Sequence, residues 1–214
     1  MQKFFLLFFL IQFSFSAKTA ELIIDLRTLD DQAMPNAVIY LTPIKTLAQS
    51  EPQTVAIMDQ INRQFFPHVL VVQKNSQVRF PNSDSIKHHV YSFSPAKTFE
   101  LQLYRGLDVD ALLFNKVGVV ELGCNIHDWM LGYILVVDTP YFAKTDIKGQ
   151  VHFTLPDGEY RLNIWHPRIA QSGTSLEYTV MLSGDNKLAY QLDKSLLPDV
   201  NQYEAVPSDV SDYE

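Results

Sequence analysis

Gly118–Val137, GVVELGCNIHDWMLGYILVV, is the segment of this chain that says most about its fold. Its first five and last six residues have the composition of β-strands, and the second run is continuously apolar, as in a strand buried on both faces. The loop between them carries Cys124, His127 and Met130 in a Cys-x2-His-x2-Met spacing. We therefore predict that two strands hold a thiol, an imidazole and a thioether in one tight turn.

A fourth donor lies upstream of this loop. The segment Asn82–Val90 contains His88, 36 residues before Cys124, and His89 directly after it. Two imidazoles and a thiolate in one plane, with a weak axial thioether, form a blue-copper electron-transfer site. Soft sulfur suits Cu(I) and imidazole suits Cu(II), and a rigid shell keeps the geometry similar in both oxidation states. The pattern predicts a mononuclear copper site.

The N-terminus predicts export. Met1–Lys3 is a short basic region, Phe4–Phe13 is an apolar stretch of ten residues, and Ser14–Ser16 supplies small residues for cleavage after Ser16. An uncleaved membrane anchor is the alternative, although the apolar run is short for a bilayer span. We expect residues 1–16 to be a signal peptide and the mature protein to be periplasmic and without a membrane span.

The single cysteine and the charge narrow the function further. A lone thiol in an oxidising compartment forms no intramolecular disulfide, and metal ligation would protect it. One cysteine excludes a binuclear copper centre bridged by two cysteines and any zinc site of several thiolates. A formal net charge of −7 without a basic stripe disfavours nucleic-acid binding.

The rest of the chain predicts an all-β fold. Short strand-like segments recur with turn signals such as Pro156-Asp157-Gly158 between them, which is typical of one or two β-sandwiches. Val55–Arg63 is the one stretch in which a helix could be considered, and Gln73–Ser76 reads as a hairpin-like connection. Residues 195–214 contain five acids and no Lys or Arg, so we expect a disordered acidic tail.

Three pieces of the chain resemble the cupredoxins, the small blue-copper proteins that include amicyanin, pseudoazurin and plastocyanin. These pieces are Phe80-Pro81-Asn82, His88-His89-Val90 and the loop Cys124–Met130. The resemblance implies a Greek-key β-sandwich over residues 47–138 that binds one type 1 copper ion. It implies four ligands: His88, Cys124, His127 and Met130.

The resemblance also assigns supporting residues and leaves one choice open. Asn82 matches a position whose side chain pins the ligand loop, which would fix Cys124 and its neighbour Asn125. The residue after the upstream ligand is usually Asn in these proteins and is His89 here. Adjacent strand residues point to opposite faces, so only one of the two histidines reaches the ion, and alignment on Val90 favours His88.

The chain also resembles a family of exported proteins labelled methylamine utilization or plastocyanin-like. The resemblance lies in three segments, Phe66–Val69, Cys124–His127 and Val137–Phe142. That label does not establish that methylamine is oxidised by this system. It adds to the expectation of an exported copper protein.

The flanking segments resemble a second family. Pro35–Pro43, Thr145–Gln150 and Leu155–Leu162 are similar to the carboxypeptidase-regulatory-like, prealbumin-type β-sandwich. The resemblance implies a discontinuous outer sandwich, residues 17–46 and 139–194, into which the cupredoxin segment is inserted. A single sandwich with extra edge strands is the alternative.

We expect a non-enzymatic protein that carries one electron between periplasmic partners, such as a cytochrome and a dehydrogenase. A periplasmic copper carrier or storage module would use the same four ligands. A metal-free adhesion module of sandwich domains is a third hypothesis, and a thiol enzyme with Cys124 and His127 as a nucleophile pair is a fourth. His166, between Trp165 and Pro167, is the remaining candidate for a second site.

Overall fold

The computed structural model describes residues 19–45, 55–106, 109–169 and 175–199. The predicted signal peptide, the junction near residue 47 and residues 200–214 lie outside these ranges. Within them the secondary structure is entirely strand, which confirms the all-β prediction, and no helix is long and apolar enough to cross a membrane. The strands are β1 (Thr19–Arg27), β2 (Val38–Pro43), β3 (Val55–Ile57), β4 (Asp59–Ile61), β5 (Gln64–Phe66), β6 (Val69–Gln73), β7 (Ser76–Arg79), β8 (His88–Ser94), β9 (Lys97–Tyr104), β10 (Leu112–Phe114), β11 (Gly118–Gly123), β12 (Leu131–Val137), β13 (Phe142–Lys144), β14 (Gln150–Pro156), β15 (Gly158–Trp165), β16 (Leu176–Leu182) and β17 (Asn186–Gln191).

The inner sandwich, β3 to β12, carries the predicted ligands. A five-stranded sheet in the order β6-β12-β11-β8-β9 faces a three-stranded sheet in the order β10-β7-β3, and β4 and β5 form a separate hairpin. Phe80, Phe114 and Leu122 fill the space between the sheets. Cys124 and Met130 belong to the same buried cluster, so the ligand loop closes one end of this core.

The outer sandwich is built from the remaining strands. One sheet has the order β14-β1-β17 and the other the order β13-β2-β15-β16. Every second residue of β1 is buried, because side chains alternate between the faces of a strand. Leu22, Ile24 and Leu26 thereby pack against Leu41 and Leu162 of the facing sheet.

A third apolar cluster joins the two sandwiches. Val38 and Trp165 of the outer sandwich contact Val69, Leu135 and Val137 of the inner one. This contact covers the second face of β12, whose other residues line the inner core, and confirms the prediction of a strand buried on both faces. Full burial of such side chains contributes about 2 kcal/mol each, so the two sandwiches hold each other in a defined arrangement.

Two local predictions were wrong. Val55–Arg63 contains β3 and β4 instead of a helix, because β3 pairs in parallel with β7 and β4 pairs with β5. Gln73–Ser76 is not a hairpin, since β6 pairs with β12 in one sheet while β7 pairs with β3 and β10 in the other. In both places long-range pairing outweighs the local sequence preference.

The predicted acidic tail begins within the described residues. Leu197 exchanges two hydrogen bonds with Arg168, one of them from the guanidinium at 2.7 Å. Asp199 lies 3.4 Å from the same guanidinium. The first residues assigned to the tail therefore contact the outer sandwich.

Candidate metal centre

The ligand loop is a seven-residue connection between two paired strands. Gly123 at the end of β11 pairs with Leu131 at the start of β12, so residues 124–130 must turn sharply between them. A backbone hydrogen bond of 3.0 Å from Met130 to His127 closes the turn. The antiparallel pairing of β11 with β12 thus fixes the positions from which Cys124, His127 and Met130 extend.

Three of the predicted ligands converge at this end of the inner core. Cys124 Sγ lies 3.9 Å from Nδ1 of His88 and 4.0 Å from Nδ1 of His127. The donor atoms of the three side chains all lie within 4.8 Å of one another. Cys124 and His88 are buried and His127 is partly exposed, so the cluster lies at the boundary between core and solvent.

These distances fit a shared ion. A metal bonded to thiolate at about 2.3 Å and to imidazole at about 2.0 Å separates sulfur from nitrogen by about 3.7 Å in a trigonal plane. The two measured separations, 3.9 and 4.0 Å, agree with that value without movement of either loop. One thiolate and two imidazoles are a donor set suited to copper.

Met130 lies beside the cluster. Its side chain is 2% exposed and packs in the same apolar cluster as Cys124. A thioether needs no strong hydrogen-bond partner when buried, and it is a weak ligand for copper. Its role as axial ligand stays a prediction.

Asp84 sets the orientation of the His88 imidazole. Its Oδ2 atom lies 2.7 Å from Nε2 of His88, four residues along the chain. Because a carboxylate accepts hydrogen bonds, this contact requires the proton on Nε2 and leaves Nδ1 of the neutral ring with a free lone pair. That lone pair is directed toward Cys124, as a metal ligand requires.

Asp84 is itself held by the turn between β4 and β5. The backbone N–H groups of Asn62 and Arg63 donate to its two carboxylate oxygens at 2.6 and 2.8 Å. Burial raises the pKa of Asp84, but the hydrogen bonds from Arg63, His88 and Asn62 outweigh it and hold that pKa below its usual value. The carboxylate therefore stays charged while it orients His88.

His127 is the least buried of the three clustered side chains. Burial lowers its pKa, and the neighbouring His88 acts in the same direction. The ring of Trp129 lies 5.2 Å from the ring of His127, and Trp129 is 52% exposed. Trp129 therefore lies at the surface beside the imidazole, and Ile126 in the same loop is exposed as well.

His88 and His89 point in different directions. His88 is in the cluster with Cys124, whereas Nε2 of His89 lies 2.8 Å from Oε1 of Glu100 on the other face of the sheet. The alternation of side chains along β8 separates them. His89 Nδ1 is buried without a hydrogen-bond partner.

The side chain of Asn82 makes its hydrogen bonds within its own loop and to the backbone of Tyr104. Asn82 donates to the carbonyl oxygens of Ile86 and Tyr104 at 2.9 and 2.8 Å and accepts from the N–H of Asp84. These bonds stiffen the loop that leads to His88 and do not reach Cys124 or Asn125, because Asn82 is tied by bridges to residues 60 and 106. Asn125 is exposed.

Sequence reasoning gave no role to Asp84. The only local signal was a carboxylate four residues before His88, and its contact with the β4–β5 turn depends on tertiary structure. His166 is mostly buried and accepts a hydrogen bond from the N–H of Arg168 at 3.2 Å. It belongs to no group of metal-binding side chains among the described residues.

Comparisons with known proteins give structural likeness alone. No family model matches the chain, and no curated protein matches it. A copper-containing nitrite reductase from Thermus scotoductus SA-01 is similar over 45% of this chain and 25% of its own, at 20% identity and a TM-score of 0.38. A mutant of amicyanin in its reduced Cu(I) form is similar over 46% of this chain and 99% of its own, at 16% identity and a TM-score of 0.36. A purple cupredoxin from Nitrosopumilus maritimus is similar over 38% and 99%, at 21% identity and a TM-score of 0.35.

At TM-scores of 0.35–0.38 and identities this low, no argument about this chain is drawn from the likeness. The chain spans only a quarter of the nitrite reductase. What these proteins bind or catalyse is not assigned to this chain on the basis of the comparison.

Proposed function

We propose that this protein is an exported type 1 copper protein that carries one electron between redox partners. The observation that supports it is the convergence of His88 Nδ1 and His127 Nδ1 on Cys124 Sγ, at 3.9 and 4.0 Å. A thiolate and two imidazoles at these separations can enclose one copper ion in a plane, with Met130 as a weak fourth ligand. Copper in such a site gains and loses a single electron.

The surrounding residues make the site rigid. Asp84 holds His88 in the tautomer that binds through Nδ1, and the pairing of β11 with β12 holds the Cys124–Met130 loop. A site that keeps its shape in both oxidation states exchanges electrons with little rearrangement. His127, with its exposed edge, is the exit point that we propose for the electron.

We further propose the cellular setting and the division of the chain. Residues 1–16 direct export to the periplasm, residues 47–138 form the copper domain, and residues 17–46 with 139–194 form the outer sandwich. The partner would be a periplasmic redox protein such as a cytochrome or a dehydrogenase. Neither nucleic-acid binding nor catalysis of bond formation is part of this proposal.

Absorption and EPR spectra of the copper-loaded protein test this function. We expect an intense visible thiolate-to-copper band, a narrow copper hyperfine splitting, and reversible one-electron reduction. Replacement of Met130 by Leu should leave copper bound and raise the reduction potential, because the axial ligand tunes it. Complete loss of metal on that change would contradict a weak axial role.

The same measurement separates electron transfer from copper handling. A carrier or storage module would bind Cu(I), remain colourless and pass the metal to an acceptor chelator. A colourless protein that cannot be oxidised reversibly would therefore contradict the electron-transfer function and support the carrier.

A further inference from the structure

The backbone that directly follows Met130 is held by a distant part of the chain. Leu131, Gly132 and Tyr133 begin β12, and each of them contacts a residue of the segment 65–69, which joins β5 to β6. The side chain of Met130 has three rotatable bonds, and a weak axial bond to copper cannot position it by itself. The position of its backbone therefore determines how closely the thioether can approach an ion.

His68 makes two of these contacts. Its Nδ1 atom lies 3.1 Å from the carbonyl oxygen of Leu131, and its own carbonyl oxygen accepts from the N–H of Tyr133 at 2.9 Å. Because a carbonyl oxygen only accepts, Nδ1 of His68 carries a proton and donates it. The rings of His68 and Tyr133 also meet edge to face, with centroids 5.4 Å apart. One residue thus holds β12 on both sides of Gly132.

Gly132 brings the same segment close to β12. A Cβ atom at this glycine would lie 2.7 Å from Cβ of Phe65, closer than side chains pack. Phe65 is 2% exposed and belongs to the same apolar cluster as Met130. The contact between Phe65 and Gly132 therefore fixes the backbone one residue from the point at which His68 bonds to Leu131.

The outer sandwich is joined to this arrangement by two contacts. The ring of Trp165, at the end of β15, lies 5.9 Å from the ring of Tyr133 and is 5% exposed. Lys144 of β13 donates from Nζ to the carbonyl oxygen of Val69, the residue after His68, at 3.2 Å. Trp165 and Val69 also share the apolar cluster that joins the two sandwiches. The outer sandwich therefore packs directly against the residues that hold β12.

We propose that His68 is a positioning residue for the thioether of Met130, and that the outer sandwich acts on the copper site through it. This inference rests on the proposed electron-transfer function, with Met130 as the axial ligand. His68 lies outside the group of metal-binding side chains among the described residues, so it acts through the carbonyl group of Leu131. Because the axial ligand tunes the reduction potential, the outer sandwich helps to set the potential at which the electron moves.

A double-mutant cycle of reduction potentials tests the role of His68. His68→Phe keeps a ring against Tyr133 and removes the donor to Leu131. It should raise the potential in the same direction as Met130→Leu but by a smaller amount, because a released backbone lets the thioether recede from the ion. In the Met130→Leu background the same change should give no further shift. His68→Gln keeps an N–H donor and should restore the potential of the wild type.

The copper-free protein gives a second readout of the same hydrogen bond. The carbonyl carbon NMR resonance of Leu131 should shift in His68→Phe and stay at its wild-type position in His68→Gln. Far-UV circular dichroism of both variants checks that the β-fold is retained. The control is His152→Phe, at an exposed position on β14, which should change neither the resonance nor the potential.

Trp165→Leu tests the contribution of the outer sandwich. This change removes the ring that contacts Tyr133 and should raise the potential by less than His68→Phe does. Leu162→Ala, in the outer core, is the control for lost stability and should leave the potential unchanged. Equal shifts in these two variants would overturn the route through Tyr133, and the comparison holds even if His68→Phe fails to fold.

Three results would overturn the role of His68. They are an unchanged potential in His68→Phe, an equal shift with and without the thioether of Met130, and an unchanged Leu131 resonance in copper-free His68→Phe protein. Copper-loaded wild-type protein without the visible band would contradict the electron-transfer function instead. The copper-free spectra would then still decide whether His68 holds Leu131.

Discussion

The inner and outer sandwiches follow the same packing physics and differ at one end. The outer core is lined by apolar side chains such as Leu22 and Leu162, and no group of metal-binding side chains lies within its described residues. The inner core contains Cys124 and Met130 among its apolar residues, with His88 fully buried beside them. A buried imidazole is costly unless its nitrogens have partners, and Asp84 supplies one of them. The difference is that the inner core contains a buried imidazole, with its cost in stability, at the end where three donor side chains meet.

The largest effect is expected from Cys124→Ser. Oxygen cannot replace the soft thiolate, so the visible band should disappear completely while far-UV circular dichroism stays that of a β-protein. The band is measured after copper loading and gel filtration. Cys124→Ser protein that keeps its copper and its function would instead support the metal-free adhesion module.

Two leucines, one in each core, allow the effect of the same substitution to be compared between the two sandwiches. Leu162→Ala in the outer core and Leu122→Ala in the inner core each remove a fully buried side chain. Each should lower the free energy of unfolding by about 2–5 kcal/mol, measured by urea denaturation. Only Leu122→Ala should also weaken copper binding, because Leu122 lies on the strand that ends at the ligand loop. Equal loss of copper affinity in both variants would show that the two sandwiches do not act separately.

We expect the stability of the protein to depend on pH through His166 of the outer sandwich. Burial, helped by the charge of Arg168, lowers its pKa from 6.5 to about 4. Above pH 6.5 the folded and unfolded chains are both neutral at this site, and below it the unfolded chain takes up the proton first. The free energy of unfolding should therefore fall between about pH 6.5 and about pH 4, by about 3 kcal/mol in total.

His166→Asn should remove this part of the slope, because Asn keeps an acceptor for the N–H of Arg168 but does not titrate. The control is His152→Asn, at an exposed position on β14, which shows how much of any change comes from the loss of an exposed histidine. The measurement is the free energy of unfolding of each variant between about pH 6.5 and about pH 4. An unchanged slope in His166→Asn would contradict the assignment.

The smallest expected effect is that of Asp84→Asn. Asn keeps one acceptor oxygen where Asp84 has two, so it can accept from only part of the β4–β5 turn, and it lacks the charge that orients His88. Changes of this kind lower metal affinity about 10–100-fold, and we expect the lower end. Competition with a copper chelator gives the affinity. The exposed Asp128→Asn is the control, and equal losses in the two variants would argue against an orienting role for Asp84.

The parts of the structure that could be predicted well from the sequence are those that short-range patterns indicate. The strands around Cys124–Met130 were evident because their apolar runs and the loop are contiguous. The residues that support the candidate site could be predicted less well from the sequence. Asp84 depends on the β4–β5 turn, and Asn82 bonds to its own loop and to Tyr104, because bridges fix its backbone. Short strands such as β3 exist only through pairing with distant strands, which no local pattern encodes.

Copper K-edge X-ray absorption of the loaded protein identifies the atoms bound to copper and their distances. We expect one short sulfur scatterer, from Cys124, and two imidazoles, from His88 and His127, in both oxidation states with little change in distance. A copper ion surrounded only by nitrogen and oxygen, or a coordination sphere that rearranges on reduction, would contradict this expectation.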